Sequence, residues 1–185
     1  MNYRMETIYS ILMNYYALQV RTGGEEKFIT LFRALHPDIS FPIYYPRRSL
    51  DIRRRGKIIN TCSAIFPGYL FIEADNKEDI QKYHWAFRRT EGFFRFLRSN
   101  QDICPLEDKD LELVLHFIKK VGSLAGKSLV TFDENSKIVV IEGPLAGLEG
   151  KIVKVDKRKG RAKIKLDIYG DSFSIDLAFE ALYKK

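Results

Sequence analysis

Few residues in the sequence are of the types that catalyse reactions or bind metals. None of its three histidines, His36, His84 and His116, has a Cys, Asp or Ser partner at a recognisable catalytic spacing. The two cysteines, Cys62 and Cys104, are far apart and form no CxxC pair, which argues against a zinc site or a disulfide framework. The stretch GPLAGLEG lacks the Lys-Ser/Thr pair of a phosphate-binding loop. We therefore expect neither an enzyme nor a protein that uses a cofactor or a metal.

Positive charge is concentrated in two short stretches. The segment KIVKVDKRKGRAKIK, residues 151–165, carries eight lysines and arginines against one aspartate, a net charge of +7 that equals that of the whole chain. The segment RRSLDIRRRGK, residues 47–57, carries six basic residues against one aspartate. Such clusters are typical of proteins that bind a polyanion, most often nucleic acid. A solvated face that binds nothing is the alternative.

The composition is that of a globular protein. Hydrophobic residues make up 45% and charged residues 30% of the 185 residues, which argues against disorder. No apolar run approaches the roughly 18 residues that a membrane-spanning helix requires, and the first residues do not form a signal peptide. We expect a cytoplasmic protein with no membrane partner.

The segment from residue 15 to residue 120 alternates strand and helix patterns. Phe28, Leu31, Phe32 and Leu35 follow the i, i+3, i+4, i+7 spacing of a helix with one buried stripe. The basic segment 47–57 has almost no apolar face, which predicts a loop or a hairpin tip. The expected strands are 15–20, 41–45, 65–73 and 93–97, and the expected helices are 25–35, a short helix or irregular crossover at 77–87, and 106–120.

The pattern changes after Gly122, where short strands and turns alternate in the manner of a small β-barrel. We predict an α+β protein in which an N-terminal α/β sandwich, with an antiparallel sheet and flanking helices, precedes a small C-terminal barrel. The expected divisions are an extra N-terminal segment at 1–14, the sandwich at 15–120, a linker at 121–128 and the barrel at 129–185. The barrel strands are expected at 129–132, 138–141, 150–156, 161–166 and 172–176. We expect deletion of residues 1–12 to leave function intact.

Three stretches carry a resemblance to a known family. They are YALQV followed by GEEK at residues 16–27, FPGYLF at 66–71 and IEGPLAGLEGK at 141–151. In this order they resemble the NusG family of transcription elongation factors. The resemblance implies an NGN-like N-terminal domain and a C-terminal KOW domain with an SH3-like barrel.

The resemblance also implies a partner, which is RNA polymerase bound at the clamp helices of its largest-type subunit. Binding across the polymerase cleft would favour the closed clamp and so suppress pausing and termination. The charged barrel is similar to those of specialised paralogues of the LoaP group, with the RfaH group as second choice. The residues that match the polymerase-binding positions are Phe66, Tyr69, Phe71 and Phe96, with His84 and Trp85 facing the opposite jaw.

A LoaP-like paralogue would act on selected operons by binding a structured hairpin in the nascent RNA. The predicted RNA-binding residues are Lys151, Lys154, Lys157, Arg158, Lys159, Arg161, Lys163 and Lys165, with Arg158 and Arg161 suited to bidentate contacts. Those predicted to face upstream or non-template DNA are Arg47, Arg48, Arg53, Arg54, Arg55 and Lys57.

General family members contact a ribosomal protein or the Rho terminator through a barrel loop. That loop corresponds here to residues 168–171, and Asp171 stands where those members have an arginine, which argues against both contacts. A housekeeping NusG-type factor and a ribosome-associated KOW protein that binds RNA remain as alternatives. We expect a monomer.

Overall fold

The computed structural model describes residues 13–97 and 103–182 of the chain. Residues 1–12, for which we predicted a dispensable extension, lie outside the described part. Backbone contacts divide the described chain into two compact units. We call residues 13–45, 67–97 and 103–112 the first unit, and residues 46–66 with 113–182 the second unit. The predicted domain boundaries, 15–120 and 129–185, stay a prediction.

The first unit contains a four-stranded sheet in the order β2-β5-β1-β6, and its pairings are antiparallel. The two central strands are apolar and almost entirely buried, because a strand inside a sheet can be covered on both faces. The strands are β1 (Asn14–Val20), β2 (Ile43–Tyr44), β5 (Tyr69–Ala74) and β6 (Phe93–Phe96). The predicted strand at 65–73 therefore begins only at Tyr69.

The strand begins only after Pro67-Gly68 because the chain turns at these two residues. Gly68 has φ +84°, and a Cβ at this position would lie 2.8 Å from the Thr22 hydroxyl oxygen. Its backbone N–H donates to the buried carboxylate of Glu25 at 2.7 Å. Glu25 is the first residue of helix α1 (Glu25–Leu35), so the turn is tied to the start of that helix.

Helices cover the sheet with aromatic side chains. Phe32 of α1 stacks on Phe87 of α2 (Lys77–Arg89) with ring centroids 4.3 Å apart. Phe87 also meets Phe96 edge-on at 5.6 Å. The segment 77–87 is thus a regular helix, and the Asn76 side chain caps it by accepting from the Asp79 N–H. The third helix, α3 (Asp108–Leu115), continues into a π-helical turn at His116–Lys120.

The basic segment 47–57 lies mostly in strands of the second unit. Strands β3 (Arg47–Arg54) and β4 (Lys57–Ala64) form an antiparallel hairpin. Arg55 and Gly56 have φ values of +50° and +77°, as a tight two-residue hairpin turn requires. The segment therefore forms a hairpin with a tight tip and not an irregular loop. Hydrogen bonds between the two strands hold it, although it has few apolar side chains to bury.

The predicted linker is also partly ordered. Strand β7 (Leu124–Ala125) pairs in parallel with Arg47 and Arg48 of β3. Ser128, the last residue of the predicted linker, is fully buried, and its hydroxyl oxygen accepts a hydrogen bond from the Leu145 N–H at 2.9 Å. Segment 121–128 is thus part of the second unit.

Five strands complete the second unit in the order β10-β11-β12-β8-β9, in agreement with the predicted small β-domain. Gly143, in the turn after β9, has φ +98°, and a Cβ there would lie 2.7 Å from the Ser128 Cα. Only glycine fits this close approach. The strands are β8 (Ser128–Phe132), β9 (Ile138–Glu142), β10 (Ile152–Asp156), β11 (Arg161–Ile168) and β12 (Asp171–Ala181).

Candidate nucleic-acid interface

Strand β11 separates basic from apolar side chains by simple alternation. Arg161, Lys163 and Lys165 share one face and are partly or fully exposed. The intervening Ala162 and Ile164 are fully buried. The strand therefore presents a row of positive charge to solvent while its other face fills the core.

The neighbouring strands extend this basic face and partly neutralise it. Lys154 of β10 lies directly opposite Lys163, and Asp176 of β12 lies opposite Lys163 on the other side. The Lys163 Nζ is 3.9 Å from an Asp176 carboxylate oxygen, and Lys165 and Asp167 are equally far apart. Pairs this exposed are held weakly, so the lysines remain available to phosphates.

The turn between β10 and β11 carries three basic residues, and each has different surroundings. The Lys157 ammonium lies 4.0 Å from the centroid of the Phe132 ring. Lys159 is 3.8 Å from Asp156, whereas Arg158 is exposed and has no ion-pair partner among the described residues. Gly160 closes the turn with φ +60°, and a Cβ there would lie 2.7 Å from the Phe179 carbonyl oxygen.

Arg161 uses part of its guanidinium group in a hydrogen bond to the hairpin. One of its terminal nitrogens donates to the Asp51 backbone carbonyl at 2.6 Å. The predicted bidentate contact to a base therefore suits Arg158 better, although the remaining guanidinium donors of Arg161 can still reach a ligand.

The hairpin residues predicted to face DNA divide into two groups. Arg48 is half-buried and donates to the Asp176 backbone carbonyl at 2.6 Å. Burial lowers the pKa of its guanidinium, and the nearby Asp176 charge opposes this shift. Arg48 thus holds the hairpin within the second unit, and Arg47 beside it is also half-buried. The exposed members are Arg53, Arg54, Arg55 and Lys57.

A groove joins the hairpin to the basic turn, although the two segments are about a hundred residues apart in the chain. It has a volume of about 530 Å³ and is lined by Asp51, Ile52, Arg53, Ile58, Arg158, Lys159 and Arg161. Sequence reasoning found both basic segments but not their juxtaposition, nor the role of Ile52 and Ile58. The charge of each segment was the only signal that could have suggested a shared site.

Asp51, the one acidic residue of this groove, already has partners. Its carboxylate accepts from the Asn60 amide at 3.0 Å and lies 2.9 Å from the Lys127 ammonium. The Asn60 hydrogen bond and then the Lys127 bond and charge lower the pKa of Asp51. The carboxylate is therefore ionised but neutralised, and the arginines and lysine dominate the charge of the groove.

The aromatic residues predicted to bind polymerase are in the interior. Phe66, Tyr69, Phe71 and Phe96 are each at most 2% exposed, so the expected exposed aromatic patch is absent from this conformation. Phe66 packs edge-on against Phe117 and Phe173 at 5.7 and 5.9 Å, and Phe96 belongs to the core of the first unit. Apolar rings gain more from such burial than from exposure.

Trp85 is the exposed member of the predicted polymerase-binding set. Its ring is 42% exposed on α2, meets His36 edge-on at 5.3 Å and lies under the Arg89 guanidinium at 5.5 Å. His84 is half-buried, and its Nδ1 lies 2.9 Å from the Gln81 carbonyl oxygen. Tryptophan and arginine are both enriched at protein-binding surfaces.

The third histidine joins two parts of the second unit. The His116 Nε2–H donates to the Pro144 carbonyl at 2.9 Å, in the turn after β9. Burial lowers the pKa of His116, so its ring is neutral near pH 7. Over residues 13–97 and 103–182 no group of three or more potential metal ligands comes together.

Comparisons with known proteins identify the fold of the chain. The structure entitled "Domain interaction in Thermotoga maritima NusG" superposes with a TM-score of 0.54 at 20% identity, covering 91% of this chain and 95% of that one. The fold is therefore that of an NGN domain followed by a KOW domain. The family model described as "Transcription termination factor nusG" matches residues 13–115, and the KOW motif matches residues 134–165.

The nusG family model covers more than half of the chain. The chain therefore belongs to the NusG family. Two proteins named "Transcription termination/antitermination protein NusG" align over nearly their whole length. That of Thermus thermophilus is 26% identical over 181 residues, which are 93% of this chain and 98% of that protein. That of Escherichia coli K12 is 23% identical over 175 residues, with coverages of 92% and 95%. The family consists of transcription factors rather than enzymes. None of the helices in the described part is long and apolar enough to cross a membrane.

Proposed function

We propose that this chain is an operon-specific antitermination factor. In this proposal the N-terminal domain binds RNA polymerase at its clamp helices and suppresses pausing and termination. The basic β-domain binds a structured hairpin in the nascent RNA, as in the LoaP group. The observation that carries the proposal is the basic face on β10 and β11, where Lys154 and Lys165 are exposed, Lys163 is partly exposed, and Arg158 of the turn is exposed beside them.

Each part of the molecule makes a different contact in this proposal. Exposed lysines supply phosphate contacts, whose strength falls with salt because counterions are released on binding. Arg158 has the fork geometry for a bidentate contact to a base edge. The exposed hairpin tip, Arg54 to Lys57, faces upstream or non-template DNA. Occupation of both sides of the cleft favours the closed clamp by differential affinity.

The aromatic residues of the polymerase-binding proposal need separate consideration. In the proposal His84 and Trp85, which are accessible on α2, face the opposite jaw of the polymerase. Contact by Phe66, Tyr69, Phe71 and Phe96 would require these rings to become uncovered, and their role stays a prediction.

A general, housekeeping role is the second candidate, favoured by the near-complete alignment with Thermus thermophilus NusG. Single-round transcription with the full chain distinguishes the two. Templates carry one terminator, with or without the leader of the operon beside its gene. We expect increased readthrough only with the leader, and loss of the increase in Arg158→Ala but not in Arg33→Ala, which removes an exposed arginine from α1. Equal effects on both templates would favour the general role.

A further inference from the structure

The groove between the hairpin and the β10–β11 turn has the properties of a ligand site. Both of its walls belong to the second unit. Its volume of about 530 Å³ lies within the range of roughly 300–1,000 Å³ that is usual for sites of small-molecule size. That space accommodates a nucleotide or two, whereas a duplex could only lie across the opening.

Cationic side chains surround this space from both walls. Arg53 comes from β3, while Arg158 and Lys159 come from the turn. Neither Arg53 nor Arg158 has an ion-pair partner among the described residues. Because Lys127 and Asn60 already occupy the Asp51 carboxylate, the groove is left with uncompensated positive charge. Charge held on two opposed walls suits successive phosphates of one strand.

An apolar surface lies beside these charges. Ile58 is directly opposite Arg53 in the hairpin register and is 69% exposed, which is unusual for a large β-branched side chain. Together with Ile52 it lines the groove. Apolar and guanidinium surfaces contact base faces and sugars, and those faces are free only in unpaired strands.

We infer that this groove binds a single-stranded segment of nucleic acid, gripped jointly by the hairpin and the β-domain. Arg53, Arg158 and Lys159 contact its phosphates, and Ile58 packs against a base or sugar. The hydrogen bond from Arg161 to the Asp51 carbonyl links the two walls. The inference rests on the proposed function, because it specifies which unpaired stretch beside an RNA hairpin would be held. It also assigns Arg53 to this groove instead of the upstream DNA.

The test is a titration of the full chain with fluorescently labelled U6, dT6 and a blunt 12-base-pair duplex. We expect one hexanucleotide per chain, bound more tightly than the duplex. Arg53→Ala and Arg158→Ala should each weaken this single binding event about fivefold and lower the slope of log Kd against log salt by about 0.7. The matched control is Arg33→Ala, an exposed arginine of α1 that does not line the groove, which should leave both quantities nearly unchanged.

A second pair of variants tests the apolar contact. Ile58→Ser should weaken strand binding without changing the salt slope, whereas Ile59→Ser, at an exposed isoleucine that does not line the groove, should not weaken it. Binding of U6, of dT6 or of both strands supports the groove. Failure of both strands to bind, two independent sites, or equal losses in Arg33→Ala would overturn the inference.

The outcome is separable from that of the transcription assay. Strand binding in the groove without leader-dependent readthrough would retain the groove and contradict the proposed function. Leader-dependent readthrough that survives Arg53→Ala and Ile58→Ser would contradict the groove alone.

Discussion

The basic face of β11 and the aromatic strand β5 are both predicted binding surfaces, but only the first is accessible to solvent. Lys163 and Lys165 are accessible, whereas Tyr69 and Phe71 are buried. The difference follows from desolvation, because an unpaired charge is costly to bury and an aromatic ring gains free energy from burial. A run of lysines therefore locates a surface in the sequence, whereas a run of aromatic residues is satisfied equally well by a core.

The largest expected effect tests the burial of the aromatic strand. Phe71→Ala should lower the free energy of unfolding by about 3–5 kcal/mol, because it leaves a cavity in a fully buried site. Urea denaturation of the wild type and the variant measures the difference. A loss below about 1 kcal/mol would indicate a surface ring and would reverse the comparison.

The next effect concerns the turn that closes on β8. Gly143→Ala should destabilise the protein by about 2–3 kcal/mol, because φ +98° is strained for alanine and the new Cβ would meet the Ser128 Cα. Gly150→Ala is the matched control, since a Cβ there meets nothing within 4 Å. Equal melting temperatures for the two variants would show that the close approach at Gly143 does not affect the stability of the fold.

Trp85 sharpens the comparison by providing an aromatic ring that is exposed. In the polymerase-binding proposal Trp85→Ala should weaken binding to core polymerase by about 2 kcal/mol, as expected for a hot-spot aromatic. Surface plasmon resonance with immobilised polymerase measures the affinity. Leu35→Ala, at another exposed apolar position, should retain the wild-type affinity, and a loss as large as that of Trp85→Ala would contradict the assignment.

A smaller effect is expected from pH. Burial holds the pKa of His116 below its ordinary value of 6.5, with Lys120 acting in the same direction and the Pro144 hydrogen bond and Glu149 against it. The unfolded chain therefore takes up the proton first as the pH falls. The stability contributed by neutral His116 is present above about pH 6.5 and is lost as the pH falls through the lowered pKa. Urea denaturation between pH 7.5 and 5 should show a steeper loss in the wild type than in His116→Gln, and parallel curves would contradict this.

The smallest effect on stability is expected at the basic face. Lys163→Gln should change the free energy of unfolding by less than about 0.5 kcal/mol, because its pair with Asp176 is exposed and 3.9 Å long. Denaturation checks this directly. A loss above 1 kcal/mol would mean that Lys163 stabilises the fold and would remove it from the candidate interface.

Local pattern predicted most of the elements of this fold. The apolar spacing of α1, the strand at β1 and the five strands after residue 128 follow from periodicity and turn residues. The hairpin extended further than predicted because β3 and β4 are held by backbone pairing, which leaves little trace in side-chain type. Helix α2 is regular because Asn76 caps it, a signal that the sequence contains.

The remainder depends on contacts between distant segments. The groove combines Ile58 of the hairpin with Arg158 of the turn, and neither residue predicts the other. Likewise, the partial commitment of Arg161 depends on the position of the Asp51 carbonyl. Charge identified the candidate interface, but only the tertiary structure shows which cations are free to bind a ligand.

The most direct test of the central claim is a fluorescence-anisotropy titration of the full chain with leader RNA from its own gene neighbourhood, at two salt concentrations. The account predicts tight binding to one hairpin, weakened by salt and by Arg158→Ala but not by Arg33→Ala. Weak binding that is equal for every RNA and unaffected by Arg158→Ala would contradict it.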